Sequence, residues 1–264
     1  IVAGPSAGAT TVRASIGNLA VSFTLTSRLP GPVVTTADFR NAASGQPGVT
    51  PGGIATVRGT GILTGIQGLV VANPTAPGPL PTQFRGVEVQ FGGVPAPIFW
   101  LNSAGGIDEV AFQTPFEVSP GAVSVTIRSA GGGSSTIPNV QVLPIHPGLF
   151  ETGPAGARYA VATRPDGSFV NASNPARRGE RIRIYLTGLG QTSPGWGTNR
   201  VGVDGQRVIL DAVVGLNNEG VAVESALALP GAIGLYVVTF AVPPGATPGN
   251  APLGFALQQG DALV

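Results

Sequence analysis

Glycine and proline interrupt this sequence so often that only short segments of extended chain can form between them. Gly 41 and Pro 25 together make one residue in four of the 264, and both residues break helices and favour turns. The chain is nevertheless too apolar to stay disordered, because 42% of its residues are hydrophobic and only 10% are charged. Glycine follows no three-residue period, which excludes collagen. We therefore expect an all-β protein with many turns.

Near the start of the chain, apolar residues occupy every second position, and small or polar residues lie between them. The alternating residues are Val12, Ala14, Ile16, Leu19, Val21, Phe23 and Leu25. A two-residue period is typical of a strand with one buried face. The pattern predicts two half-buried strands, with Gly17-Asn18 as a turn or a register break between them.

Short apolar segments recur along the rest of the sequence at the spacing of β-sandwich strands. We predict a first series at residues 54–59, 86–91, 97–101, 109–113, 122–129 and 137–143, and a second at 159–164, 180–187, 207–214, 221–226, 234–242 and 253–258. The sequence thus predicts two tandem immunoglobulin-like β-sandwich domains, at residues 33–144 and 145–264, after an N-terminal extension at residues 1–32. The proline-bounded link at 144–148 should restrict the geometry between the domains.

The residue types that most catalytic and metal sites need are scarce. The chain has no Cys and one His, His146, which excludes disulfides, thiol catalysis and zinc sites built from several Cys or His. Asp108 and Glu109 are adjacent and would point to opposite faces of a strand, which argues against a hydrolytic carboxylate pair. A loop calcium site at Asp108, Glu109, Asp166 or Asp204 stays open. We expect no enzymatic activity and no cofactor.

Charge also excludes several classes of partner. The formal net charge is +1, and the 14 basic residues are all Arg, scattered singly except for Arg177, Arg178, Arg181 and Arg183. We expect this cluster to be a solvated strand face, with Glu180 as an ion-pair partner, and we expect no nucleic-acid partner. No segment of about 18 apolar residues is present, so no membrane-spanning helix is predicted.

Six segments resemble the pattern of a widespread C-terminal domain family of secreted bacterial proteins, which is similar to tandem IPT/TIG immunoglobulin-like sandwiches. They are GVPAPIF at 93–99, FQTPFEVSPG at 112–121, PGLF at 147–150, NPARRGE at 174–180, YLTGLGQ at 185–191 and GLYVV at 234–238. The resemblance covers about residues 33–264. It implies sandwich architecture and secretion, and it lends no catalytic residues.

The two ends of the sequence differ from that family. Such domains finish with a further strand after residues 258–264, so we expect the second domain to lack its last strand, while residues 1–32 supply a strand that neither domain requires. An open groove in a sandwich invites a strand from another molecule. We therefore predict head-to-tail donor-strand exchange, with the seven alternating residues of the N-terminal segment as the donor. The alternatives are that this segment folds back onto its own chain, or that the chain has been shortened.

The predicted function is a structural subunit of an extracellular, pilus-like filament whose main partner is a second copy of itself. Absence of Met favours a mature chain that follows a cleaved signal peptide, although trimming would give the same absence. The alternatives are a monomeric adhesion or carbohydrate-binding module and a noncatalytic accessory part of a secreted enzyme. For glycan binding we expect Trp196, in a glycine-flanked loop, to be exposed, with Trp100 as a second candidate. Asn171 begins a possible N-glycosylation sequon.

Overall fold

The computed structural model describes residues 8–27, 29–72, 78–154 and 156–264. The predicted fold class is confirmed: regular structure in the described residues is β-strand, apart from one 3-10 helix at Thr36–Asp38. An N-terminal hairpin is followed by two immunoglobulin-like sandwiches, each with its own apolar core. We call these the hairpin, the first domain and the second domain.

The hairpin consists of strands β1 (Gly8–Ile16) and β2 (Leu19–Ser27), paired antiparallel along their whole length. Gly17 has φ +56° and opens a two-residue turn, at the position where a type II′ hairpin turn favours glycine. The predicted strands and turn are therefore present. The expected half-burial is wrong, because the side chains of both strands are exposed almost throughout.

The first domain packs two sheets over a shared core. Its ten strands are β3 (Phe39–Asn41), β4 (Ile54–Gly59), β5 (Gly68–Val71), β6 (Gln83–Phe84), β7 (Val87–Phe91), β8 (Val94–Pro95), β9 (Ile98–Ala104), β10 (Ile107–Gln113), β11 (Gly121–Arg128) and β12 (Ser134–Val142). One sheet has the order β3-β4-β10-β9-β5, and the other has the order β12-β11-β7-β6, with β8 on β7. Alternate residues point inward, so that Phe39, Phe91 and Phe112 form the centre of the core.

The second domain repeats this plan with a larger main sheet. Its strands are β13 (Gly148–Leu149), β14 (Glu151–Thr152), β15 (Tyr159–Ala160), β16 (Ala162–Thr163), β17 (Arg181–Thr187), β18 (Thr192–Ser193), β19 (Arg207–Val208), β20 (Asp211–Leu216), β21 (Glu219–Val221), β22 (Val223–Ala228), β23 (Tyr236–Ala241), β24 (Leu253–Gln259) and β25 (Ala262–Leu263). The main sheet is β13-β17-β23-β22-β19-β18, with β16 on β17, and a second sheet is β21-β20-β24-β25. A small separate pair joins β14 and β15.

Hydrogen bonds join the two domains where β4 begins and β17 ends. The Ile54 amide donates to Thr187 Oγ1 at 2.7 Å, and the Thr187 hydroxyl donates to the Gly234 carbonyl at 2.8 Å. Close by, Asn41 Nδ2 donates to the His146 carbonyl at 2.7 Å. Gly188 has φ +79°, and a side chain there would collide with that same carbonyl. The junction therefore requires a hydroxyl at position 187 and glycine at 188.

A second set of contacts extends the junction to the loops of both domains. The Asn199 amide donates to Gln113 Oε1 at 2.7 Å, and the Asn199 side chain exchanges two hydrogen bonds with the backbone of Leu80, at 2.6 and 2.8 Å. The Phe116 ring packs against Trp196 in the core of the second domain, with centroids 6.1 Å apart. Gln113 is fully buried. Its side chain therefore forms hydrogen bonds with protein groups and not with water.

Candidate assembly surface

The register of the hairpin places all seven predicted donor residues on one face. Val12 lies opposite Phe23, Ala14 opposite Val21, and Ile16 opposite Leu19. Residues directly opposite each other in an antiparallel pair share a face, as do residues two positions apart. Leu25, opposite Thr10, therefore lies on the same face. The hairpin is an amphipathic ribbon, and its other face presents Thr, Ser, Ala and Arg13.

The apolar face of the hairpin is open to solvent. Ile16 is 81% exposed, Leu19 is 75% exposed and Phe23 is 45% exposed. Single exposed apolar side chains are common on soluble proteins, but a contiguous row of them on one sheet face marks an interaction surface. The structure thus assembles the predicted donor residues into one surface, although on two strands where we expected a single donor strand.

Both strands of the hairpin pair only with each other among the described strands. Closure of the hairpin onto its own domains, the alternative drawn from the sequence, is not found in the described residues. A two-stranded hairpin with one bare apolar face is marginally stable by itself in water. Pairing with a further strand or sheet would therefore stabilise the hairpin.

A short stalk, residues 29–32, holds the base of the hairpin on the first domain. Ser135 Oγ donates to the Pro32 carbonyl at 2.7 Å, and side chains at Gly31 or Gly133 would collide with backbone across this contact. Directly after the stalk, Val33 and Thr60 exchange backbone hydrogen bonds at 2.9 and 3.2 Å. The close backbone approach leaves no room for a side chain at Gly31, which explains the glycine at that position.

The stalk lies at the end of the first domain that is farther from the second domain. Strand β4 starts at Ile54, which bonds to Thr187 of the second domain, and the chain after β4 reaches Thr60, which pairs with Val33. A six-residue strand spans roughly 20 Å. The hairpin, the first domain and the second domain therefore follow one another in that order, with the hairpin base remote from the junction.

Trp196, expected to be an exposed ligand platform, is buried. It is 4% exposed, its Nε1 donates to the Arg200 carbonyl at 2.9 Å, and its ring meets Tyr236 edge-on at 5.3 Å. Burial raises the pKa of Tyr236 far above its usual value, and the Tyr236 hydroxyl donates to the Gly190 carbonyl. The indole therefore lies in the core, where it offers no face to a glycan.

Trp100 and Asn171 are the two remaining candidates for surface recognition. Trp100 is half-buried in β9, directly opposite Val71. Asn171 is exposed, and its Oδ1 accepts hydrogen bonds from the amides of Ser173 and Asn174, at 3.0 and 2.9 Å. The sequon therefore forms a tight turn on the surface, and its glycosylation stays a prediction.

The acidic residues considered for calcium are separated and have other partners. Asp108 is buried and accepts hydrogen bonds from the amides of Ile62 and Leu63, at 2.9 and 3.0 Å. Glu109 pairs with Arg58 at 2.9 Å. No group of three or more potential metal ligands occurs among the described residues. Asp108 thus fixes the 60–63 turn.

The arginine cluster is largely solvated, as the sequence indicated, whereas Glu180 pairs with Arg164, which lies outside the cluster. Arg181 pairs with Glu224 at 2.9 Å. Glu180 accepts from the Arg177 amide at 2.9 Å and pairs with Arg164 at 3.1 Å. The Arg177 amide, together with Arg164, lowers the pKa of the Glu180 carboxyl. The cluster stabilises the loop before β17.

The chain turns back at the end of the second domain to form a short edge strand. β25 pairs with the end of β24, and Leu257 and Val264 exchange backbone hydrogen bonds at 2.8 and 3.0 Å. Leu263 is exposed. The expected open groove in this domain stays a prediction.

Strand β5 is one element that the sequence analysis missed. Its only signal is the run Gly68-Leu69-Val70-Val71, which is too short to show a period. It forms one edge of the five-stranded sheet and leaves Leu69 64% exposed and Val71 43% exposed. Leu69 and Val71 form a second exposed apolar surface.

No protein-family model and no curated protein matches the chain. Two solved structures are similar at 14% sequence identity and a TM-score of 0.24. The tandem of titin domains I9–I11 is matched over 99% of this chain and 73% of the titin chain. Domains 4–9 of the surface layer protein SbsC are matched over 98% of this chain and 34% of that chain. The described residues include no helix that is long and apolar enough to cross a membrane.

Proposed function

We propose that this chain is a structural subunit of an extracellular filament, joined head to tail through the N-terminal hairpin. The observation that supports this is the exposed apolar face of the hairpin, which pairs with neither of its own domains in the described residues. The proposed activity is mechanical and not enzymatic. Secretion is part of the proposal and rests on the family resemblance of the sequence.

The apolar side chains of the hairpin supply part of the energy of such a contact. Burying a large apolar side chain contributes about 1.5–3 kcal/mol. Strand β2 carries four such side chains, and we use the lower value for each because Phe23 and Leu25 are already partly covered. Their burial then contributes on the order of 6 kcal/mol before the cost of ordering the two partners is subtracted.

The geometry of such a contact determines the assembly. The hairpin and its acceptor are different surfaces of the chain, so the contact is heterologous and continues from copy to copy. The hydrogen bonds at the junction hold the two domains together, and each subunit can then transmit load along the filament. A monomeric carbohydrate-binding module is the weaker candidate, since Trp196 is in the core.

The test compares two adjacent residues on opposite faces of β2. Phe23→Asp places a charge on the apolar face and should abolish filaments in negative-stain electron microscopy. Thr24→Asp places the same charge on the polar face and should leave filament formation unchanged. A chain without residues 1–28 should remain monodisperse.

Circular dichroism should show that the Phe23→Asp and Thr24→Asp chains keep the β-structure of the full chain. Monodisperse particles from the unaltered chain would overturn the proposal, and so would filaments from the Phe23→Asp chain. A glycan-binding screen would then become the next experiment.

A further inference from the structure

Strand β5 presents free backbone groups along an exposed sheet edge. Ala72 donates its amide to the Phe99 carbonyl of β9 at 2.9 Å, and Val71 lies opposite Trp100. In an antiparallel ladder, residues that bond to the neighbouring strand alternate with residues that do not. The backbones of Gly68 and Val70 therefore face β9, whereas those of Leu69 and Val71 face outward, where no described strand pairs with them.

The same two residues supply the apolar surface of this edge. Leu69 and Val71 are two positions apart and point to the same outer face of the sheet. Trp100, opposite Val71, shares that face and is half-buried. Free amides and carbonyls beside exposed apolar side chains form a template for another strand. A strand is the ligand that satisfies both requirements together.

The chain itself contains a segment of matching chemistry. The hairpin is extended and has one apolar face and a single charged residue, Arg13. The base of the hairpin is held at the 131–133 turn. This turn joins β11 and β12, which belong to the sheet of the first domain that does not contain β5. In the described structure the hairpin pairs with no strand of its own first domain, so the β5 edge of that domain stays open. The matching edge is that of another copy.

We propose that the free edge of β5, through Leu69 and Val71, receives the hairpin of a second copy. The five-stranded sheet of the first domain is thereby extended by two strands from the neighbouring subunit. This inference rests on the proposed function, because it names the acceptor for the donor surface described above. It assigns the acceptor to the first domain, whereas the sequence pointed to a missing strand in the second.

A proline substitution can block the edge without disturbing the domain. In Leu69→Pro, the lost amide is one that faces outward, so the bonds to β9 remain, and edge strands tolerate proline at such positions. The matched control is Leu263→Pro. Leu257 and Val264 are a bonded pair, so the Leu263 amide also faces outward, at the edge formed by β25.

We expect Leu69→Pro to abolish filaments of the full chain and Leu263→Pro to leave them intact. Leu69→Lys, which keeps the amide and removes the apolar side chain, should also weaken assembly. Each variant should unfold in a cooperative thermal transition, which shows that its domains are folded. If Leu69→Pro fails to fold, Leu69→Lys decides the outcome.

A mixing experiment separates failure of the acceptor from failure of the donor. The Leu69→Pro chain keeps a working hairpin, and the Phe23→Asp chain keeps a free β5 edge. Neither should assemble alone, but their mixture should form particles with the mass of two chains in analytical ultracentrifugation.

Three results would overturn the inference. If Leu69→Pro still forms filaments while Phe23→Asp does not, the hairpin is the donor but the acceptor lies elsewhere, and loss of filaments in Leu263→Pro would place it at β25. If the mixture stays monomeric, β5 is not the acceptor. If the unaltered chain never assembles, the proposed function fails together with the acceptor.

Discussion

At the scale of single residues, Thr187 has the clearest structural role. Its side chain is fully buried between the domains, where it accepts from the Ile54 amide and donates to the Gly234 carbonyl. One hydroxyl therefore satisfies two backbone groups that have no access to water. The sequence shows a threonine at the end of an apolar strand, which is usual for β-structure and gives no sign of this role.

Replacing Thr187 with Val should destabilise the chain more than its change in volume suggests. The valine has a similar shape but leaves the Ile54 amide and the Gly234 carbonyl buried and unpaired, which should lower the free energy of unfolding by about 2–4 kcal/mol. Thr187→Ser keeps the hydroxyl and should cost much less. Urea denaturation measures both, and equal losses would show that the hydroxyl contributes little.

At the scale of elements, the loop between β16 and β17 depends on a charged carboxylate. Glu180 accepts hydrogen bonds from the Arg177 amide and from Arg164 Nε, at 2.9 and 3.2 Å. Asp166 accepts from the amide and the hydroxyl of Ser168, at 2.9 and 2.7 Å. The Ser168 hydrogen bonds lower the pKa of Asp166, and the Arg177 amide lowers the pKa of Glu180.

This loop should therefore weaken in acid. A carboxyl whose pKa is lowered by folding stabilises the folded state fully above its ordinary pKa, near 4.5 for Glu180, and this contribution is lost as the pH falls through the lowered value. We expect the melting temperature to fall as the pH drops below about 4.5. Glu180→Gln should have a lower melting temperature at pH 6 and a shallower fall in acid. An unchanged pH profile in that variant would contradict the prediction.

The hairpin is an element whose strands form from its own residues, whereas burial of its apolar face depends on its neighbours. Its alternation and its Gly17-Asn18 turn specify two paired strands without help from either domain, because the turn residues and the register agree. Whether the apolar face is covered depends on what lies beside it. In the described structure nothing covers it, and the second copy named above is our proposal for what does.

At the scale of the whole molecule, assembly should respond to temperature more than to salt. Between residues 8 and 27 the only charged residue is Arg13, on the polar face of the hairpin. An apolar contact is little affected by ionic screening, and it weakens on cooling.

We therefore expect filaments to survive a rise from about 0.05 to about 0.5 M sodium chloride and to shorten on cooling toward 0 °C. Light scattering at fixed protein concentration measures both effects, and fluoride salt in place of chloride tests for ion-specific effects. Dissociation by salt without an effect of cooling would indicate that ion pairs, and not the apolar face, hold the subunits together.

The sequence by itself determined the fold class and most of the strands. Glycine and proline exclude long helices, the recurrence of short apolar segments predicted β4 at residues 54–59, and the two-residue period predicted the two hairpin strands. These features are local, since each strand and turn is specified by residues close together in the chain. The donor residues were found by the same period, which also places them on one face.

Only the tertiary structure decided which of those faces are covered. Trp196 is flanked by glycines, as an exposed loop residue would be, yet it packs against Tyr236 because residues far apart in sequence meet there. Strand β5 is too short for a period, and its free edge follows from the strand order of the sheet. Burial and edge exposure depend on long-range contacts, and a single sequence does not encode those contacts locally.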